Sequence, residues 1–388
     1  MPIPAPRASL PLLASVAAVV LSTGFTGTLV PLALGDPGTA AGVASAHFAG
    51  FLVGAPAVGR IVGWLGSRRA ALLFALVIAL STAGLVVTEA TAVWMALRFA
   101  AGIAVSGYFV MVESRLNELA DSATRGRLMA AYLVVFYAMQ AVGSTMAGIA
   151  GETGAAWLLA PLPFLLLGAL PLVGAPAPAA SVPSQRRPSW VRLLARAPAA
   201  YAGSVACGLL LGAFYGLGPV YAVATGGDAQ AAGPFMAAAM LGGMALLGPV
   251  GRAADRGDRG RWLAGALVAT AGAAALLALV PAGLWLPLVL AGAVLGGTAF
   301  TLYPLASGCV NDAVRADERL AANGLMLQMN AVGACVGPVV AGWAMAQFGT
   351  GGFLLPAAVA GLLTAVAMAG ARLRLGTRAP RPMPGRPV

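Results

Sequence analysis

Residues 175–198 read Ala175-Pro176-Ala177-Pro178-Ala179-Ala180-Ser181-Val182-Pro183-Ser184-Gln185-Arg186-Arg187-Pro188-Ser189-Trp190-Val191-Arg192-Leu193-Leu194-Ala195-Arg196-Ala197-Pro198. Proline comes first and arginine second, a pattern that predicts an extended linker followed by a short helix lying on a membrane surface. Such a segment stands out because charge is scarce elsewhere. Of 388 residues, 60% are hydrophobic and 9% charged, against roughly 25% charged in a soluble domain. With a mean hydropathy of +0.89, the chain leaves too little polar surface for a water-soluble fold. The net charge of +11 would suit nucleic acid only on a polar face lined with basic residues, and composition denies such a face, so no nucleic-acid partner is expected. All 23 basic residues are arginine, and alanine and glycine abound, which points to a GC-rich bacterial genome.

On either side of the linker the apolar residues fall into runs long enough to cross a hydrocarbon core about 30 Å thick, which takes about 20 residues of helix. Twelve are marked, at 10–33, 41–62, 70–88, 92–116, 128–150, 155–174, 199–224, 229–250, 262–280, 285–310, 320–347 and 353–371. The expected fold is therefore an all-α membrane protein of twelve transmembrane helices. Residues 1–174 form one six-helix bundle, 175–198 a cytoplasmic linker, 199–371 a second bundle and 372–388 a basic tail. The first run lacks a separate cleavage region and reads as a retained helix. Cys207, Cys309 and Cys335 all fall in spans and are odd in number, so they predict packing residues, with no disulfide framework and no metal site.

Arginine distribution sets the orientation. With the N-terminus inside, every arginine except Arg98 lies on the cytoplasmic side, whereas the outer loops carry Asp36, Glu89, Glu152 and Asp228. The positive-inside rule then predicts an N-in, C-in chain in the bacterial inner membrane. The two halves also repeat. A shift of 190 residues places Ala101-Gly102 on Ala291-Gly292, Gly107 on Gly297, Arg125 on Arg315, and Met139 with Ala141-Val142-Gly143 on Met329 with Ala331-Val332-Gly333; Gly59-Arg60 meets Gly251-Arg252 at a shift of 192.

Two parallel six-helix repeats joined by a basic linker resemble the major facilitator superfamily, and the loop motifs carry the likeness further. Gly59-Arg60-Ile61-Val62-Gly63-Trp64-Leu65-Gly66-Ser67-Arg68-Arg69 is similar to that family's signature loop, with Gly63 in place of its aspartate. In the second half Gly251-Arg252-Ala253-Ala254-Asp255-Arg256 keeps the acid and the arginine after it. The resemblance implies a cytoplasmic gate made from Gly59, Arg60, Arg68, Arg69, Asp255 and Arg256, with Glu113, Glu118 or Asp121 as substitutes for the lost carboxylate. Gly27-Thr28-Leu29-Val30-Pro31-Leu32, Glu113-Ser114-x-Leu116-Asn117, Gly212-Ala213-Phe214-Tyr215-Gly216 and Leu302-Tyr303-Pro304-Leu305 resemble one bacterial branch of sugar-like and drug-efflux-like facilitators. That branch leads one to expect His at Cys309 and usually Tyr at His47, so this chain departs at two polar positions.

Ionisable groups inside a membrane are costly and are therefore site candidates by default. Arg98 and His47 are the clear ones. Arg98 opens Arg98-x-x-x-Gly102, similar to the family's arginine motif associated with proton coupling, and lies roughly 9 Å into its helix at 1.5 Å per residue. His47 lies at a comparable depth from the same side, so the two are expected on one polar level, as substrate-binding and coupling residues; an ordinary imidazole pKa of about 6.5 suits proton exchange. The plainer alternatives are an arginine satisfied by carbonyls near the interface and a histidine that only packs. Glu113 lies about 22 Å deeper along the same helix as Arg98 and is assigned to the inner gate. Further substrate-contact candidates are Tyr108, Tyr132, Tyr137, Gln140, Tyr215, Tyr303, Gln328 and Asn330, with Gln140 and Asn330 favoured because they match at the 190 shift. Tyr221, near an outer end, reads as part of the interfacial belt.

These features predict a secondary transporter of a small organic molecule working by alternating access, monomeric, embedded in the lipid bilayer, with protons as the candidate coupling ion and no cofactor. A nucleotide-binding loop of the Gly-x-x-x-x-Gly-Lys type is impossible without lysine, and no catalytic or metal-ligating cluster points to an enzyme. Efflux of amphipathic compounds is preferred because the candidate residues are aromatic and carboxylates are missing from mid-membrane. Uptake of a sugar-like or small anionic solute is the alternative, and a non-transporting sensor or scaffold the third reading.

Overall fold

A computed structural model describes residues 5–119, 125–150, 155–174 and 189–376. The proline-rich part of the linker, the tail beyond residue 376, Asp121 and Glu152 lie outside the described residues. The helices are α1 (Ala5–Leu34), α2 (Pro37–Leu65), α3 (Ser67–Gly84), α4 (Thr91–Leu119), α5 (Arg125–Ala150), α6 (Leu162–Gly174), α7 (Trp190–Arg196), α8 (Pro198–Gly226), α9 (Ala232–Arg256), α10 (Arg259–Ala278), α11 (Trp285–Ala313), α12 (Arg319–Phe348) and α13 (Leu355–Gly376). Among the described residues ten helices are long and apolar enough to cross a membrane, and the expected sixth and twelfth spans correspond to shorter apolar helices, Ala156–Pro171 and Leu355–Gly370. The arginine-bearing second part of the linker is the helix α7.

Helix ends follow local chemistry. Asp36 caps α2 by accepting from the Thr39 N–H at 2.7 Å, with Pro37 in the first turn, where a missing N–H costs nothing. Asp258 caps α10 in the same way. Between α2 and α3 the chain turns at Gly66 with φ of 77°, a conformation that favours glycine.

Packing gives two six-helix bundles. In the first, α1 pairs with α5 and α2 with α4; in the second, α8 pairs with α12 and α9 with α11. Small residues bring these helices together, since association within lipid relies on close backbone approach. A β-carbon on Gly143 would collide with the Leu21 carbonyl, and one on Gly333 with the Val205 carbonyl. The repeated Ala-Val-Gly triplet is thus the α1–α5 contact and its counterpart, α8–α12. Helices α3, α6, α10 and α13 expose Leu80, Leu167, Val268 and Val366, apolar faces suited to lipid.

Between the bundles, α2 packs on α12 and α8, and α5 on α9. Their close contacts gather at the end of the molecule that has the acidic loops and no arginine. There Gly342 lies on Ala41, Gly148 on Gly233, and Gly216 on Ala44. At the opposite, arginine-rich end each ion pair among the described residues stays on one side: Arg115 with Glu118, Arg196 with Glu318, Arg259 with Asp255 and Asp312, Arg261 with Asp258, and Arg315 with Asp317.

Candidate functional site

Arg98 and Gly102 are one helical turn apart and share a face of α4. Gly102 has no side chain, and its backbone lies so close to α2 that a β-carbon would strike the His47 carbonyl. The crossing therefore sets Arg98 beside His47. The His47 Nδ1 is 3.2 Å from the Arg98 carbonyl oxygen. A carbonyl only accepts, so Nδ1 carries the proton and Nε2 is the nitrogen left for another partner.

Both residues line a cavity of about 240 Å³ bounded by α1 to α5 and by Tyr215 and Gly216 of α8. Thr23, Thr26, Thr82 and Gln140 supply its polar groups, and Phe48, Phe51 and Phe136 its aromatic wall. Arg98 is the only lining residue with a fixed charge, and none is acidic. Its Nε is buried with no hydrogen-bond partner in the protein. The Nε is thus not held by a backbone carbonyl.

An aromatic chain continues from the cavity wall across the bundles. Phe136 meets Tyr137 at 5.6 Å, Tyr137 meets Phe300 of α11 at 5.2 Å, and Phe300 meets Tyr215 at 6.3 Å, all edge-on. Near the bundle interface Cys335 of α12 contacts the Ser45 carbonyl of α2 at 3.7 Å.

Of the residues singled out in the sequence, the cavity gathers Arg98, His47, Gln140 and Tyr215, and Tyr137 stands next to it in the aromatic chain. The others lie elsewhere. Tyr108 is buried and hydrogen-bonds Ser15 at 2.7 Å inside the first bundle. Tyr132 donates to Glu113 at 3.0 Å. Asn330, the repeat partner of Gln140, spends its amide on the Ser204 carbonyl, at 3.1 Å, and so binds α12 to α8. Tyr303 packs half-buried against the second bundle's core, and Gln328 is half-buried on α12.

In this state the carboxylates expected at the gate are engaged within their own bundles. Glu113 accepts from Tyr132, Glu118 pairs with Arg115, and Asp255 pairs with Arg259 at 2.7 Å. Arg60, Arg68, Arg69 and Arg256 are exposed, as is Gly59. Tyr221 is not in an interfacial belt: it is 2% exposed, stacks on Phe353 at 4.6 Å and donates to the Leu277 carbonyl at 2.8 Å.

Sequence reasoning missed the cavity's hydroxyls. Thr23 and Thr26, three residues apart on one face of α1, were legible as polar side chains in an apolar span. It also missed a polar knot at the arginine-rich end of the second bundle, where Asn323 donates to Asn311 at 2.9 Å and Ser307 to Asn323 at 3.1 Å.

Comparison with known proteins agrees with this architecture. The family model described as Major Facilitator Superfamily matches residues 12–301 and 237–387. An uncharacterized MFS-type transporter of Yersinia pestis (strain Pestoides F) is 32% identical over 366 residues, spanning 88% of this chain and 90% of that one. The MFS-type transporter YcaD of Escherichia fergusonii is 31% identical over 341 residues, spanning 84% and 86%. Among solved structures, the nucleoside transporter NupG superposes with a TM-score of 0.76 at 17% identity, covering 94% of this chain and 98% of its own. A single-residue mutant of NupG superposes with a TM-score of 0.78 at 18% identity, covering 94% and 99%. The chain is a membrane transporter and belongs to the major facilitator superfamily.

Proposed function

We propose that this transporter carries a small organic molecule across the bacterial inner membrane by alternating access, with the Arg98 cavity as its binding site. One observation carries the reading: a cavity with a single fixed cation lies beneath bundle contacts at one end, while no ion pair among the described residues crosses between bundles at the other. Bundles that touch at one end only correspond to one of the two states a rocking carrier needs. The positive-inside rule assigns the arginine-rich end to the cytoplasm, which makes this the inward-open state with both termini inside. The moving units are residues 1–174 and 199–371, joined by 175–198 and followed by the tail 372–388, in a monomer. A gradient supplies the energy, with protons as the coupling ion and Arg98 and His47 as the residues through which coupling acts.

Efflux of an amphipathic compound is the preferred direction, since the cavity wall is aromatic and no lining residue is acidic. Uptake of a neutral polar solute such as the nucleoside named for NupG is the second reading, favoured by Gln140 and the threonine hydroxyls, which suit sugar or base edges. Counterflow in proteoliposomes against a panel of amphipathic acids, amphipathic bases and nucleosides separates the two. Arg98→Ala is expected to insert normally and to lose flux. Normal flux in that variant would move the binding site elsewhere.

A further inference from the structure

The chemistry of the cavity restricts its cargo, on the reading that it is the transport site. We infer that it binds the carboxylate of a small organic acid, with Arg98 as the anion-binding residue and the aromatic wall holding the apolar body. A cation kept from water needs a partner. No lining residue is acidic, and the Arg98 Nε is buried with its donor unused inside the protein. A planar guanidinium presents paired N–H groups that match a carboxylate in a bidentate fork. Neutral sugars leave that charge unpaired, and amphipathic cations are repelled by it.

His47 adds to the selection. Its Nδ1 is engaged by the Arg98 carbonyl, so the ring is held against the same helix turn that supplies the guanidinium. Phe48, whose ring meets that of His47 edge-on at 5.8 Å, and Phe136 and Tyr215 offer apolar faces to the same cavity, and Gln140 a single amide. One fork and several rings fit one carboxylate on an aromatic or branched body, and not an inorganic polyanion, which calls for several donors. Size agrees: about 240 Å³ is the share of roughly eight waters at about 30 Å³ each, the scale of a benzoate ring with its carboxylate.

The test uses purified full-length protein and three probes of one shape: benzoate, benzamide and benzylamine. Calorimetric titration is expected to show benzoate binding about 10- to 100-fold tighter than benzamide, the span of a charged hydrogen bond, with benzylamine weaker than both. Arg98→Gln is expected to bring benzoate down to the level of benzamide, and Arg98→Lys, which keeps the charge but loses the fork, to retain part of the preference. Equal or tighter binding of benzamide or benzylamine to the wild type, binding of none of the three, or displacement of benzoate by equimolar phosphate would overturn the inference. The wild-type comparison decides this even where a variant fails to insert. Counterflow of benzoate in proteoliposomes tests the underlying reading separately: charge-selective binding without exchange would leave the carboxylate site standing and remove the transport reading.

Discussion

The two bundles are built on one plan, yet they differ at the level that matters for binding. Gly102 meets the His47 carbonyl as Gly296 meets that of Ala239, so His47 corresponds to the fully buried Ala239, and Arg98, one turn before Gly102, corresponds to Gly292, which has no side chain. Where the first bundle keeps a cavity with a charge, the second is filled: Phe214, Phe235 and Tyr221 pack ring on ring at 5.8 and 5.9 Å. The helix crossing itself is shared. Gly292 lies against the Phe235 ring, which takes the space beside the crossing that the Arg98 side chain has in the first bundle. Pseudo-symmetry thus yields one bundle that keeps a charged cavity and one that lines it through Tyr215 and Gly216.

Exchanging charge and filler should give the largest contrast. Arg98→Ala is expected to reduce transport by more than about 100-fold with little change in stability, because it removes a charged contact of about 1.5–3 kcal/mol from the substrate and the fixed field that orients it. Leu288→Ala, at a fully buried position of the second bundle, should do the reverse, costing about 2–4 kcal/mol through the cavity it leaves while flux per folded molecule persists. Flux normalised to folded protein, with thermal melting alongside, checks both. Equal loss of flux from the two would mean that the bundles share the binding task.

The crossings offer the next test. Gly102→Val and Gly296→Val each force a side chain into a backbone carbonyl, that of His47 or Ala239, and overpacking of this kind costs about 1–3 kcal/mol. Melting temperatures should fall alike. Ligand affinity should fall only for Gly102→Val, since only that crossing holds the Arg98 level.

A smaller effect probes the contact between the bundles. A β-carbon on Gly342 would come within 3.0 Å of the Ala41 side chain, so Gly342→Leu should wedge α12 away from α2 and favour the state open at the arginine-poor end. Cys335, half-buried against Ser45, is a native reporter of that seal. With Cys207 and Cys309 replaced by serine, its alkylation by a polar maleimide should quicken about tenfold, the change expected from a 1.4 kcal/mol population shift. An unchanged rate would show that the seal does not depend on this contact.

Much of this was legible before any coordinates. Ten of the twelve expected spans, the two-bundle plan and the closeness of Arg98 to His47 follow from apolar run length, internal repetition and depth along the helix, all one-dimensional quantities. Legibility ended where direction around a helix decides. Tyr108 and Tyr132 look like cargo contacts in a list of polar residues, but their faces of α4 and α5 meet Ser15 and Glu113. Asn330 shares the register of Gln140 yet turns its amide to the Ser204 carbonyl, because repeat equivalence fixes backbone position and not the partner a side chain finds. The gate motif is silent for a similar reason: in this state the loop carboxylates find partners within their own bundle, and a motif names residues without naming the state in which they meet.

The mildest contrast lies in the caps at the arginine-poor end, where Asp36 and Asp228 correspond at the 192 shift. Asp36 receives the Thr39 N–H and hydroxyl, both at 2.7 Å, at the start of α2; Asp228 receives only the Ala231 N–H, at 2.9 Å, before the turn Ala229–Ala231 that leads into α9. With two donors on its carboxylate against one, Asp36→Ala is expected to cost about 0.5–1 kcal/mol at neutral pH and Asp228→Ala less. Thr39 holds the Asp36 carboxyl below its ordinary value by donating to the ionised form. A lowered folded pKa gives stability that is complete above the ordinary carboxylate value of about 3.9 and fades as pH drops through the folded one. The melting difference between wild type and Asp36→Ala should therefore shrink on acidification, whereas Asp36→Asn, a good cap without a titrating group, should keep its stability across the same range. A difference that stayed constant with pH would show that the cap acts through geometry alone and that the charge at this end contributes nothing to holding α2.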